Sequence, residues 1–223
     1  MKNLFTLCTV LFSCFTFAAT KQLGTFNELI VNSRIHVELI HSENYSVEIE
    51  ENPEINLDKL SFKYKGNILT INYTGNLVQG LPVKLKLHCS NLLSLKANSG
   101  SEIKMDKSFQ TSGNRIRFTA FAGGKLDVRS NCKYTVVEVK QGGSAAVEGS
   151  TESLTAKVTT GGVIATRFLK ANDVTAEISF GGEIICSAIE TIDAKVTSGG
   201  RISYLGNPSV NKKIVLGGTI EAL

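Results

Sequence analysis

A pair of adjacent glycines returns six times in the second half of this chain. The pairs are Gly123-Gly124, Gly142-Gly143, Gly161-Gly162, Gly181-Gly182, Gly199-Gly200 and Gly217-Gly218, and successive pairs stand 19, 19, 20, 18 and 18 residues apart. A unit of about 20 residues cannot close a hydrophobic core by itself, so neighbouring units must stack, and the expected architecture is a solenoid.

The residues around each pair say what kind. Counting back from the first glycine, the seventh position holds Ile116, Thr135, Leu154, Val174, Ile192 and Val210. The fifth holds Phe118, Val137, Ala156, Ala176, Ala194 and Lys212, and the third Ala120, Val139, Val158, Ile178, Val196 and Ile214. The positions between are mostly polar. Alternation of this kind marks a strand with one buried and one wet face. It resumes after the pair, with Leu126, Ala145, Ile164, Ile184, Ile202 and Ile220 three residues on. The glycines therefore sit at a corner between two strands, where the backbone needs either a positive φ or room for another backbone to pass. The fold class that follows is all-β, a parallel β-helix with 18–20 residues per coil. Like positions then stack about 4.8 Å apart.

Stacking predicts outward ladders of alternating charge. Glu138, Lys157, Glu177 and Lys195 form one, and Arg129, Glu148 and Arg167 a second. Such rungs contribute about 0.2–1 kcal/mol each and point to stacking and solubility rather than chemistry.

The 223 residues carry a net charge of +4 with no run of Lys and Arg, which leaves nucleic-acid binding without a footprint. Residues 1–19 have the layout of a secretory signal: Lys2, an apolar stretch from Leu4 to Phe17, then Ala18 and Ala19. Leu11-Phe12-Ser13-Cys14 has the outline of a lipobox that Phe12 fits poorly. The mature chain is expected to be exported, whether periplasmic, outer-membrane-associated or secreted, with no membrane span. Cys8 and Cys14 leave with the signal, and Cys89, Cys132 and Cys186 remain. Cys186 stands in an inward position as a small hydrophobe, and Cys89 with Cys132 could pair, free thiols being the leading expectation.

Residues 20–98 read as a β-rich cap or irregular first coils, and 99–223 as regular coils, the whole forming one continuous domain. Alternating runs lie at 27–31, 34–40, 45–50, 68–73, 83–88 and 92–97. Lys65-Gly66-Asn67 is a hairpin bend, and Ile55 to Leu60 a short helical turn or loop. Ser99-Gly100-Ser101 opens an early coil, with an insertion expected around Lys107 to Asn114.

The opening Phe26-Asn27-Glu28-Leu29-Ile30-Val31 with Ile35-His36-Val37-Glu38-Leu39, the repeated Gly-Gly-x-Ile turns, and Tyr204-x-Gly206-x-Pro208 ahead of Gly217-Gly218 resemble the head GIN domain of putative auto-transporter adhesins. The resemblance covers Phe26 to Leu223. It implies a right-handed parallel β-helix, secreted or associated with the cell envelope, and an adhesive function. It brings no catalytic residue, no cofactor and no metal ligand.

The residues taken alone support the same division. Polysaccharide-active β-helix enzymes need clustered carboxylates, whereas Asp127, Glu148, Asp173, Glu183 and Asp193 fall in different columns. Glu177 and Glu183, flanking one corner, are expected to pair with Lys195 and Arg201. Calcium repeats need a third glycine and an aspartate, and Gly162-Val163-Ile164 has neither. His36, His41 and His88 have no ligand spacing. The candidate binding residues are Thr155, Thr159, Thr175, Ser179 and Thr197, outward hydroxyls on three coils that could meet a glycan or protein at the envelope. Phe121, Phe168 and Phe180 are expected near corners. A polysaccharide lyase or hydrolase is the alternative function, and a structural homo-oligomer the third.

Overall fold

The computed structural model describes residues 19–50, 52–75 and 81–223. The signal-like stretch, with Cys8 and Cys14, lies outside them, as does most of the loop expected between Gly75 and Pro82. The chain is an all-β solenoid; of the described residues 71% are strand, and one 3-10 turn lies among them at Leu57–Lys59.

The glycine-paired half folds as its periodicity demands. Strands β10 (Ser112–Phe121), β11 (Lys125–Lys140), β12 (Ser144–Thr160), β13 (Val163–Phe180) and β14 (Glu183–Ser198) stack in parallel, followed by β15 (Arg201–Leu205), β16 (Ser209–Leu216) and β17 (Thr219–Ala222). Each coil crosses one face of the solenoid before its glycine corner and a second face after it. Val158 is the register partner of both Val139 and Ile178, and the column runs on through Val196 to Ile214. All but Ile214 are at most 1% exposed. A Val or Ile buried this completely contributes roughly 1.5–3 kcal/mol.

The corners use both properties that glycine offers, one at each member of the pair. At Gly161 the backbone has φ +60 and a Cβ would meet open space. At Gly162 a Cβ would lie 2.5 Å from the Gly143 carbonyl oxygen and from Val139 Cγ1, so the preceding coil leaves no room for one. The earlier corners turn one residue sooner. Ala122 with Gly123 and Gln141 with Gly142 take the two positive φ values, closed by the Gly124 N–H donating to Phe121 O and the Gly143 N–H to Lys140 O. That is the sign pattern of a type I′ turn. The expectation that the pair itself always makes the turn therefore holds from Gly161 onward and is corrected before it.

The uneven steps have a physical outlet. Register slips between Thr166 and Lys170, where β13 carries its surplus residues, and Phe168 is extruded there to 68% exposure. Phe168 thus sits at a bulge, not near a corner as expected. On the β12 side the same bulge shifts register between Ala146 and Gly149 and removes Arg167 from the second predicted ladder, although Arg129 and Glu148 do meet at 3.7 Å. In the first ladder Lys157 and Glu177 pair at 2.9 Å, whereas Glu138 turns to Arg117 and Lys140.

The first coils are out of order. Strand β2 (Glu28–Val31) lies between β6 (Ile68–Tyr73) and β8 (Ser94–Asn98), and β3 (Ile35–His41) between β7 (Val83–Cys89) and β9 (Glu102–Met105), all in parallel. The second coil folds outside the first, and the third returns to the inner side to meet β10 and β11. Leu69, Leu29, Leu95 and Phe118 consequently form one buried column. That column continues as Val137, Ala156, Ala176 and Ala194, while its neighbour changes from Ala97 and Ala120 to Val158 and Ile178. Large and small residues trade places, and the core stays filled. Asparagines stack the same way: Asn98 Nδ2 donates to Asn32 Oδ1 at 2.7 Å, and Asn32 Nδ2 to Asn72 Oδ1 at 2.6 Å.

Antiparallel strands finish the N-terminal end. β4 (Ser46–Ile49) pairs with β7, β1 (Ala19–Gln22) with β4, and β5 (Leu60–Lys65) with β6 through the expected hairpin, with Gly66 at φ +58. The expected insertion is the bend after β9, which buries Phe109 against His41. No strand covers β16 among the described residues. Instead Lys212, in an inward column, folds across the end of the core: its ammonium donates to Ile220 O at 3.4 Å and lies 5.8 Å from the Tyr204 ring centroid. An inward-pointing charge on an edge strand opposes further strand pairing. The three cysteines are free and buried.

Candidate functional site

Solenoid register brings the predicted hydroxyl residues onto one face. Thr155 and Thr175 are direct partners on adjacent coils, and the column continues into Asp193 and Asn211. Thr159, Ser179 and Thr197 stand four residues after Thr155, Thr175 and Asp193, on the same outward side next to the corners. None of the five hydroxyls bonds to another described residue; Thr159 is exposed and the other four are half-buried. The face is less uniform than expected, because the Lys157–Glu177 pair runs between the two rows. Phe180, 61% exposed, stands at its corner edge.

The scattered carboxylates stay scattered. Asp127 faces Lys104 at 3.9 Å, Glu148 faces Arg129, Asp173 accepts from Thr191 Oγ1, and Asp193 accepts from Asn211 Nδ2 at 3.5 Å. Glu183 is the register neighbour of Arg201, yet Arg201 pairs with Glu221 at 2.9 Å. Glu177 likewise pairs with Lys157 rather than with Lys195, so both corner pairings expected there are corrected. The histidines separate too: His36 lies 3.8 Å from Glu102, His41 3.9 Å from Glu43, and His88 2.9 Å from Glu48. Among the described residues no three His, Cys, Asp or Glu side chains gather to hold a metal ion. Burial pushes the Cys89 and Cys186 thiols up to about 12, which leaves them protonated and unreactive at neutral pH.

A cleft of about 490 Å³ lies elsewhere, on the outward side of β3, β4, β7 and β9. Its floor is Val37 and Leu85, and its walls are charged side chains. Register explains them. Glu48, Lys86, Glu38, Lys104 and Asp127 are successive rungs across β4, β7, β3, β9 and β11, alternating in sign. Beside this ladder run Lys84, His36 and Glu102, with Glu50 joined to Lys84 at 3.1 Å. The outer members are tied to partners, but Glu38 and Lys86 have no ion-pair partner among the described residues although they are direct neighbours in the sheet. Sequence spacing could not reveal this ladder, since β7, β3 and β9 stack in an order that differs from their order along the chain. The signal it did carry was the charged or polar residue at every second position within 83–88 and 34–40.

No helix among the described residues is long and apolar enough to cross a membrane. Comparison with curated proteins returns no match. Solved structures do match. A protein titled a putative adhesin from Bacteroides fragilis NCTC 9343 superposes with TM-score 0.81 at 20% identity, covering 93% of this chain and 96% of that one. One titled a putative lipid binding protein, from Parabacteroides distasonis ATCC 8503, superposes with TM-score 0.68 at 19% identity, covering 92% and 96%. A putative adhesin from Parabacteroides merdae ATCC 43184 gives 0.64 at 20% identity, covering 93% and 95%. At such identities the likeness speaks for the fold. Residues 25–208 match the family described as "Putative auto-transporter adhesin, head GIN domain", and the chain belongs to that family.

Proposed function

We propose that this protein is an exported, non-enzymatic interaction module of the cell envelope, which binds a glycan or a protein through the outward face of its C-terminal coils. The observation that carries this reading is the register that sets Thr155 opposite Thr175, with Thr159, Ser179 and Thr197 beside them. Flat repeat faces offer evenly spaced hydrogen-bonding groups, and here the hydroxyls are free. The adhesin description of the family supports a binding role, and the signal-like N-terminus supports export. The separate partners of Asp127, Glu148, Asp173 and Asp193 speak against a two-carboxylate centre on these coils. A lipid, as named for the Parabacteroides distasonis neighbour, would need an apolar cavity, whereas the cleft described above has charged walls.

A glycan and host-protein binding array with the mature protein tests the reading. Binding that falls when Thr155 and Thr175 are both changed to Val is the expected result. Turnover of a polysaccharide, abolished by a carboxylate substitution, would replace it with the enzymatic alternative.

A further inference from the structure

We propose a second binding site: the charged cleft over β3, β4, β7 and β9 binds a short, electrically neutral, hydroxyl-rich oligosaccharide. The site goes beyond the hydroxyl face and does not depend on it.

The first ground is geometry. The volume of about 490 Å³ lies within the range of small-ligand pockets. The ladder from Glu48 to Lys104 spans three strand spacings, about 14 Å, long enough for a short oligosaccharide laid across the strands.

The second ground is that the two central charges, Glu38 and Lys86, do not satisfy one another. Opposite charges on adjacent strands attract and can close into pairs, as Lys157 and Glu177 do, whereas Glu183 and Arg201 do not. Glu38 and Lys86 are adjacent and oppositely charged, yet no ion pair joins them, and the cleft opens where they stand. The outer charges are held away by partners of their own, Glu50 by Lys84 and Glu48 by His88. Nor does stacking require this ladder. The same column continues after Asp127 as Ala146 and Ala165. No charge returns to this column until Glu221, at the far end of the solenoid.

The third ground is the sign pattern, which selects the ligand. Four carboxylates, three ammonium groups and one imidazole line the cleft, and the signs alternate along Glu48, Lys86, Glu38 and Lys104. An anionic ligand would meet a carboxylate beside every lysine, and a cation the reverse. A sugar hydroxyl both donates and accepts, so neighbouring hydroxyls can bridge Glu38 and Lys86 together. No Phe, Tyr or Trp side chain lines the cleft, so binding rests on hydrogen bonds and is expected to be weak for a single chain.

The test titrates the full protein with mannotetraose, cellotetraose and xylotetraose, using tetragalacturonate and a chitosan tetramer as charged counterparts. Calorimetry gives Kd, and amide chemical shifts locate the site. At least one neutral tetrasaccharide should bind, with shifts concentrated in β3, β4, β7 and β9. Glu38→Gln and Lys86→Met should each weaken it about tenfold or more. Both side chains face outward, so unchanged circular dichroism and melting would show that the fold is intact. Lys133→Gln, outside the cleft and outside the two hydroxyl rows, should leave binding as it was. Absence of binding by all three neutral sugars, preference for either charged oligomer, or unchanged Kd in both cleft variants would overturn the proposal. Binding lost in the Thr155→Val and Thr175→Val double variant, but kept in the cleft variants, would overturn it while leaving the hydroxyl face standing.

Discussion

The two halves of the solenoid reach the same cross-section by different means. From Gly161 onward the corners are true glycine pairs, the coils follow one another in order, and alanine in one inward column is balanced by Val and Ile in the next. In the first coils the corners use non-glycine residues at positive φ, among them Ser33, Arg34 and Ser99. There the second coil lies outside the first, and the core is widened by Leu29, Leu69 and Leu95. The ends differ as well, since antiparallel strands close the N-terminal side and the Lys212 side chain the other. A β-solenoid thus tolerates disorder in its winding so long as each inward column stays filled and each edge strand is either paired or guarded.

The largest test of this contrast is in the core. Leu29→Ala, in a coil held on both sides, should cost about 2–5 kcal/mol, whereas Ile214→Ala at the open end should cost under about 1 kcal/mol. Urea midpoints measure both, and equal losses would erase the distinction between enclosed and terminal coils. Corners come next. Gly162→Ala adds a Cβ where the preceding coil's backbone stands and should destabilise by about 3 kcal/mol. Ser99→Gly, at φ +52, should instead stabilise by up to about 1 kcal/mol. Opposite signs from the two substitutions would sharpen the claim that the corners differ in kind. Lys212→Ile should expose the apolar end and bring concentration-dependent self-association, read by sedimentation; a monomer at every concentration would show that the charge guards nothing. The smallest effect belongs to Glu177→Gln, expected to cost at most about 1 kcal/mol and less at high salt.

Much of this was legible in advance. The glycine beat located every corner of the regular half, and period-two alternation marked the strands at 28–31, 35–41, 46–49, 68–73 and 83–89. Thr155 and Thr175 could be placed side by side because their coils are consecutive. The cleft could not be found that way. Its rungs, Glu48, Lys86, Glu38 and Lys104, come from strands whose stacking order departs from chain order. The Arg167 rung failed for a related reason: a bulge inside β13 shifts register, and the 20-residue glycine step does not say where in the coil the shift falls.

Local chemistry, then, set what each segment is, because side-chain alternation and glycine's lack of a Cβ act within a few residues. Folding decided which segment lies against which. In the first coils that choice rests on core volume and on the long-range Asn72–Asn32–Asn98 bonds, which no local pattern records. The same choice brought Glu38 beside Lys86.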